Sequence, residues 1–182
     1  MFKTATALTV ALAAATSASA LSLEVTSAPT TGLAGYTTYT LTLVGDGEFN
    51  AALVSIEGPL NQESAFGQIG LFADDGLFAF VPATADTDSY FLFDRPALLV
   101  DGEFGESANG ILATFAYSDN QSGPFPLAQV VLQDGDSANV LVQGGVGDDA
   151  NTVIFDGVIP IPEPASAALL ALGGLAALRR RA

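Results

Sequence analysis

The chain has neither cysteine nor histidine in 182 residues. Disulfides, thiolate nucleophiles, imidazole bases and the usual zinc, copper and iron ligands are therefore out of reach. Histidine-dependent serine triads and zinc hydrolases are excluded with them. Tryptophan is also absent, so the best stacking platform for a sugar ring is missing. Positive charge is almost confined to the two ends: Lys3 at one, Arg179, Arg180 and Arg181 at the other, with only Arg95 between. All 20 acids lie within residues 21 to 163, so the stretch from Leu21 to Pro164 sets one cation against 20 acids, a net charge of −19. Such a body offers no basic patch for nucleic acid or an anionic membrane. Lysine is missing from that stretch, and Schiff-base chemistry with it.

The first 20 residues run in the order a secretory signal peptide requires. Lys3 is followed by an apolar stretch from Ala5 to Ala15 and then by Ala18-Ser19-Ala20. Small residues at Ala18 and Ala20 predict signal-peptidase cleavage after Ala20. An uncut anchor would need an apolar run of about 20 residues; this one stops at Thr16. An exported domain without disulfides must hold itself by core packing, which about 140 residues can do.

The other end reads Pro162-Glu163-Pro164, an uncharged stretch from Ala165 to Leu178, then Arg179-Arg180-Arg181-Ala182. The prolines bar helix before Pro164 and allow one just after it. Its 14 residues would span about 21 Å, short of the roughly 30 Å of hydrocarbon in a bilayer. Snorkelling arginines could extend the reach, and their cluster marks the cytoplasmic side. This three-part ending resembles the PEP-CTERM sorting signal of Gram-negative and related bacteria. The resemblance covers about the last two dozen residues and implies processing by an exosortase, passage through the inner membrane with transient or retained anchoring by the short helix, and delivery to the cell surface or exopolysaccharide matrix. It implies nothing about the activity of the domain between the signals.

That domain, residues 21–157, alternates with period two. Leu21, Leu23 and Val25 alternate with polar neighbours, as do Tyr39, Leu41 and Leu43 with Thr38, Thr40 and Thr42, the mark of half-buried strands. Further strands are predicted at residues 49–56, 69–73, 77–81, 90–93, 97–100, 111–117, 127–132, 138–142 and 152–155. Gly45-Asp46-Gly47, Asp74-Asp75-Gly76, Asp101-Gly102, Asn109-Gly110 and Asp134-Gly135-Asp136 predict turns. Many short strands and no helical stripe before Ala165 predict an all-β fold, an antiparallel sandwich or jelly roll. Gln62 to Gly67 could make one helical turn. Residues 158–164, with three alternating prolines, predict an extended linker, and 165–182 the sorting helix. The segments 111–115 and 126–132 resemble the late strands of cohesin-like jelly rolls; the early strands show no match, so a dockerin partner does not carry over.

Calcium is the metal this composition permits, through carboxylates and backbone carbonyls. An EF-hand begun at Asp86 places Phe91 where the turn glycine belongs and Ala97 where the bidentate glutamate belongs; one begun at Asp134 fails in the same way at Asn139 and Gly145. Gly144-Gly145-Val146-Gly147-Asp148-Asp149 matches the opening of a β-roll nonapeptide, but Asn151 replaces its inward apolar residue and no second copy follows. An irregular calcium site assembled from distant turns stays open. Paired carboxylates can hydrolyse glycosides without histidine, yet no pair stands out among acids spread over the turns. Of Tyr36, Tyr39, Tyr90 and Tyr117, alternation assigns Tyr39 and Tyr117 to core faces rather than sugar platforms. Arg95 beside Asp94 reads as an ion pair sooner than as an anion clamp. Asn120-Gln121-Ser122 fits the glycosylation sequon, which needs its own machinery and recurs often by chance, so no function is read from it. The expectation is a non-catalytic structural or interaction module. A calcium-dependent or carbohydrate-binding module is the alternative, and a carboxylate-only glycoside hydrolase the third.

Overall fold

The structure, a computed structural model, describes residues 8–11, 21–62, 64–65, 68–69, 71–72, 82–93, 100–107, 109–146 and 151–160. The cleavage residues Ala18 and Ala20, the sorting residues Pro162, Glu163, Pro164 and Arg179 to Arg181, the Asp94-Arg95 pair, the Asp74-Asp75-Gly76 turn and the predicted strand at 77–81 lie outside them. Among the described residues no helix is long and apolar enough to cross a membrane.

Two five-stranded antiparallel sheets face each other. The first has the order β1 (Leu8–Ala11), β2 (Leu21–Pro29), β3 (Tyr36–Gly45), β10 (Phe125–Gln133) and β7 (Tyr90–Phe91). The second has the order β12 (Thr152–Ile159), β11 (Ala138–Gly145), β4 (Glu48–Glu57), β9 (Gly110–Ser122) and β8 (Val100–Ser107). The expected antiparallel sandwich is the fold. Its core lies between the sheets because the period-two alternation points one apolar set inward from each strand. Leu23, Val25, Leu41, Leu43 and Val130 come from the first sheet, and Val54, Ile56, Ile111, Ala113, Val140 and Val142 from the second. Tyr117 is buried in this core and Tyr39 packs against it, as the alternation predicts.

Aromatic rings fill the end of the sandwich nearest β7 and β8. Phe72, Phe91, Phe93, Phe115, Tyr117, Phe125 and Phe49 form a connected chain of contacts, with Phe93 and Phe115 centroids 4.3 Å apart and Phe49 meeting Phe125 edge-on at 5.0 Å. Such pairs add about 0.5–1.5 kcal/mol each beyond their burial.

Several local expectations are corrected. The Gln62–Gly67 stretch, read as a possible helical turn, contributes instead to a small hairpin of β5 (Ser64–Ala65) and β6 (Gln68–Ile69). The one described helix, α1 (Pro82–Thr87), was not foreseen; proline suits its first position, where the missing N–H costs nothing. Asp101-Gly102 is not a turn but part of β8, where a bulge between Asp101 and Phe104 absorbs it. β12 runs on through Val158 and Ile159, residues assigned to the linker, because Ile159 is fully buried against the core. Gly45-Asp46-Gly47 and Asp134-Gly135-Asp136 do turn the chain, but from one sheet to the other rather than within a hairpin. Asn109-Gly110 closes the β8–β9 hairpin as predicted, with Ser107 paired to Gly110.

A candidate ligand-binding depression on the second sheet

The outer face of the second sheet is built from the residues that alternate with its core positions. Cross-strand pairing lines them up in rows: Val158, Asn139, Glu57 and Gly110 in one, Asp156, Leu141, Ser55, Leu112 and Gly105 in the next. At β9 the first row passes through Gly110 to Ser107, and at β8 the second ends on Gly105; neither glycine has a side chain to fill the surface. The result is an open depression of about 560 Å³.

Its polar walls are Ser55, Glu57, Ser107, Asn109 and Asn139, and Leu112 gives it an apolar patch. The hairpin tip is fixed in place: Ser107 Oγ accepts from the Asn109 N–H at 3.3 Å and donates to the Gly110 carbonyl at 3.4 Å. The Gly58 N–H donates to the Asn109 carbonyl at 2.9 Å, tying that tip to the end of β4. Glycine is required at both contacts. A β-carbon on Gly110 would collide with the Ile56 carbonyl, and one on Gly58 would come 2.8 Å from the Ser137 carbonyl. Glu57, Asn109 and Asn139 are exposed and available to a ligand. Hydroxyl, amide and carboxylate groups beside one aliphatic patch suit a hydroxyl-rich, uncharged ligand. Among the described residues Glu57 is the single carboxylate in the lining, whereas two-carboxylate glycoside hydrolysis needs a pair.

No group of three or more acidic side chains close enough to hold a metal ion occurs among the described residues. The Asp134 carboxylate accepts instead from the Thr37 hydroxyl at 2.8 Å, on the surface. In the β-roll-like stretch, Gly144 and Gly145 belong to β11, and Gly147 to Asp149 lie outside the described residues. The sequon residue Asn120 donates to Glu48 at 2.8 Å.

The polar groups buried on the other sheet serve packing. Asp88 and Ser89 follow α1 and are wholly buried. Ser89 Oγ accepts from the Val131 N–H at 2.9 Å, and Asp88 Oδ1 accepts from the Ser89 N–H at 2.9 Å. The Gln129 amide donates to the Ala85 and Asp88 carbonyls at 2.8 and 2.9 Å, holding α1 on the outer face of the first sheet. Burial pushes the Tyr90 phenol above its ordinary value, and Asp86 and Asp88 push it further. Tyr39 is raised in the same way, by burial first and then by Asp134, against a smaller lowering by its bond with Thr37.

Sequence reasoning found none of the depression except Asn109-Gly110, and that only as a turn. Comparison with protein-family models, curated proteins and solved structures returns no match.

Proposed function

We propose that this chain is an exported, exosortase-processed protein of the cell surface or extracellular matrix, with its sandwich acting as a non-catalytic structural or interaction module. The observation that carries this reading is the pair of terminal signals, one ending at Ala18-Ser19-Ala20 and the other built from Pro162-Glu163-Pro164 and Arg179 to Arg181. The fold is compatible with it, since every described core residue falls between Leu21 and Ile159. Removing both ends leaves that core whole. Intact-mass analysis of protein from its host is expected to find residues 1–20 and the apolar tail missing. Full-length protein in the inner-membrane fraction would overturn the reading.

A second reading, a carbohydrate-binding module, is favoured by the depression on the second sheet. A screen of uncharged oligosaccharides, run with and without calcium, separates it from the first. Binding that survives chelation and falls about tenfold or more in Glu57→Gln, and about two- to tenfold in Asn139→Ala, places the ligand there, since a lost hydrogen bond is worth about 1.5–3 kcal/mol at a charged group and about 0.5–1.5 kcal/mol at a neutral one. Binding abolished by chelation would point to the calcium-dependent alternative instead.

A further inference from the structure

A strand at the edge of a sheet offers its outward N–H and C=O groups to any strand that can reach them. Three of the four sides of this sandwich carry devices against that. β8 has a bulge between Asp101 and Phe104. β12 has a bulge opposite Val142 and Gln143, with Asp156 and Gly157 in mid-strand. β7 is two residues long, and the part of β10 beyond it is covered by Asn61 and Ser89, which bond the Val131 backbone.

β2 has no such device. Its nine residues pair with β3 in unbroken register, Glu24 is its one charge, and its only proline is the last residue, Pro29. In this structure its outer side is taken by β1, along Glu24 to Ser27. β1 lies within the first 20 residues, the segment with the order of a signal peptide. Exposure of the β2 edge rests on that reading, because cleavage after Ala20 removes β1.

We propose that β2 of the processed protein pairs with β2 of a second copy, antiparallel, about a two-fold axis at Val25, joining two sandwiches through one continuous sheet. Three features of the strand select this partner and register. Centring on Val25 overlaps the whole strand. It sets outward residues opposite outward ones, so the polar face of each copy continues into the next. It also places Glu24 opposite Thr26 of the second copy, whereas a two-fold axis at Glu24 would set the two carboxylates face to face in a body already at −19. The contact is isologous and closes at two copies, so it does not propagate into fibres.

Sedimentation equilibrium on the chain from Leu21 to Pro160, which holds every described core residue, tests the pairing independently of host processing. Host processing is tested by the intact mass. A dimer is expected in about 0.15 M sodium chloride, tightening as added salt screens the repulsion. Thr26→Lys, which sets a cation opposite Glu24 twice per dimer, is expected to lower the dissociation constant roughly two- to tenfold, and Thr26→Glu to raise it by a similar factor. Position 26 faces outward, so near-ultraviolet circular dichroism of both variants is expected to match the parent. A parent chain that stays monomeric at about 100 µM, roughly the strength of a weak transient contact, overturns the proposal. So does a dimer indifferent to the charge at position 26. A monomer that instead captures an unrelated extended peptide along β2 also overturns it, by giving the edge a different occupant.

Discussion

Tyr90 is where one side chain couples the fold to pH. Its ring is buried at the start of β7, its hydroxyl donates to the Ala85 carbonyl at 3.2 Å, and burial, Asp86 and Asp88 hold its pKa above the ordinary 10.0. An unfolded chain therefore gives up the phenol proton before the native one does. The stability this supplies is complete below about pH 10 and is lost as pH rises through the elevated native value. Thermal midpoints should fall above pH 10, and Tyr90→Phe should flatten that decline while losing a little stability at about pH 8 with its hydrogen bond. Tyr39 leaves a residual slope. An unchanged alkaline decline in Tyr90→Phe would show that the phenol does not drive it. The burial of Tyr117 was legible in the sequence because it shares the parity of Ile111, Ala113 and Phe115. The burial of Asp88 and Ser89 was not, because it depends on a strand 42 residues further along the chain.

At the scale of elements, α1 and the residues after it close the edge of β10 with side chains where a strand would use backbone. The Ser89 hydroxyl stands in for a carbonyl by accepting from the Val131 N–H, while the Val131 carbonyl accepts from the Asn61 N–H at 2.8 Å. Ser89→Ala strands a buried N–H and should cost about 1–3 kcal/mol, with faster hydrogen exchange at the Val131 amide. The exposed bond from Thr37 to Asp134 is similar in length, yet Thr37→Ala should stay within about 0.5 kcal/mol because water replaces the lost partner. Equal losses in the two variants would show that the cover over β10 is not closed. The long strands were legible from alternation, and their ends were not. β9 extends to Ser122 and β11 to Gly145, beyond the apolar runs that announce them, because cross-strand bonding continues where side-chain burial stops. The depression was invisible for a related reason: Gly105 and Gly110 form a gap only once β8 and β9 are in register beside Ser55 and Glu57.

Taken whole, the molecule is an acidic body with one internal cation. The chain from Leu21 to Pro160 sets 19 acids against one arginine, a net charge of −18 that repels itself, and salt screens that repulsion over about 8–10 Å. The melting midpoint of the chain from Leu21 to Pro160 should rise with sodium chloride. Calcium and magnesium at equal ionic strength should raise it alike, since screening does not distinguish them and a coordination site does. An extra shift of several degrees with calcium at micromolar excess would mean that acids beyond the described residues assemble a site, and that binding is linked to folding. The class of the fold was legible at this scale from the density of turns and the absence of a helical stripe. The partition of strands between two sheets was not, because nothing local tells a turn within a sheet from a turn between sheets.

The position of β2 also has a chemical consequence. Lys3 is the only lysine in the chain, so a protein beginning at Leu21 carries a single primary amine, its own terminus. That amine marks the first residue of β2, opposite Gly45. An amine-selective dye would label each copy at one known place without an engineered cysteine. In a pair of copies joined at Val25, the two labels would sit eight residues apart along the strand direction, about 27 Å, a separation well suited to energy transfer and inaccessible to a short cross-linker.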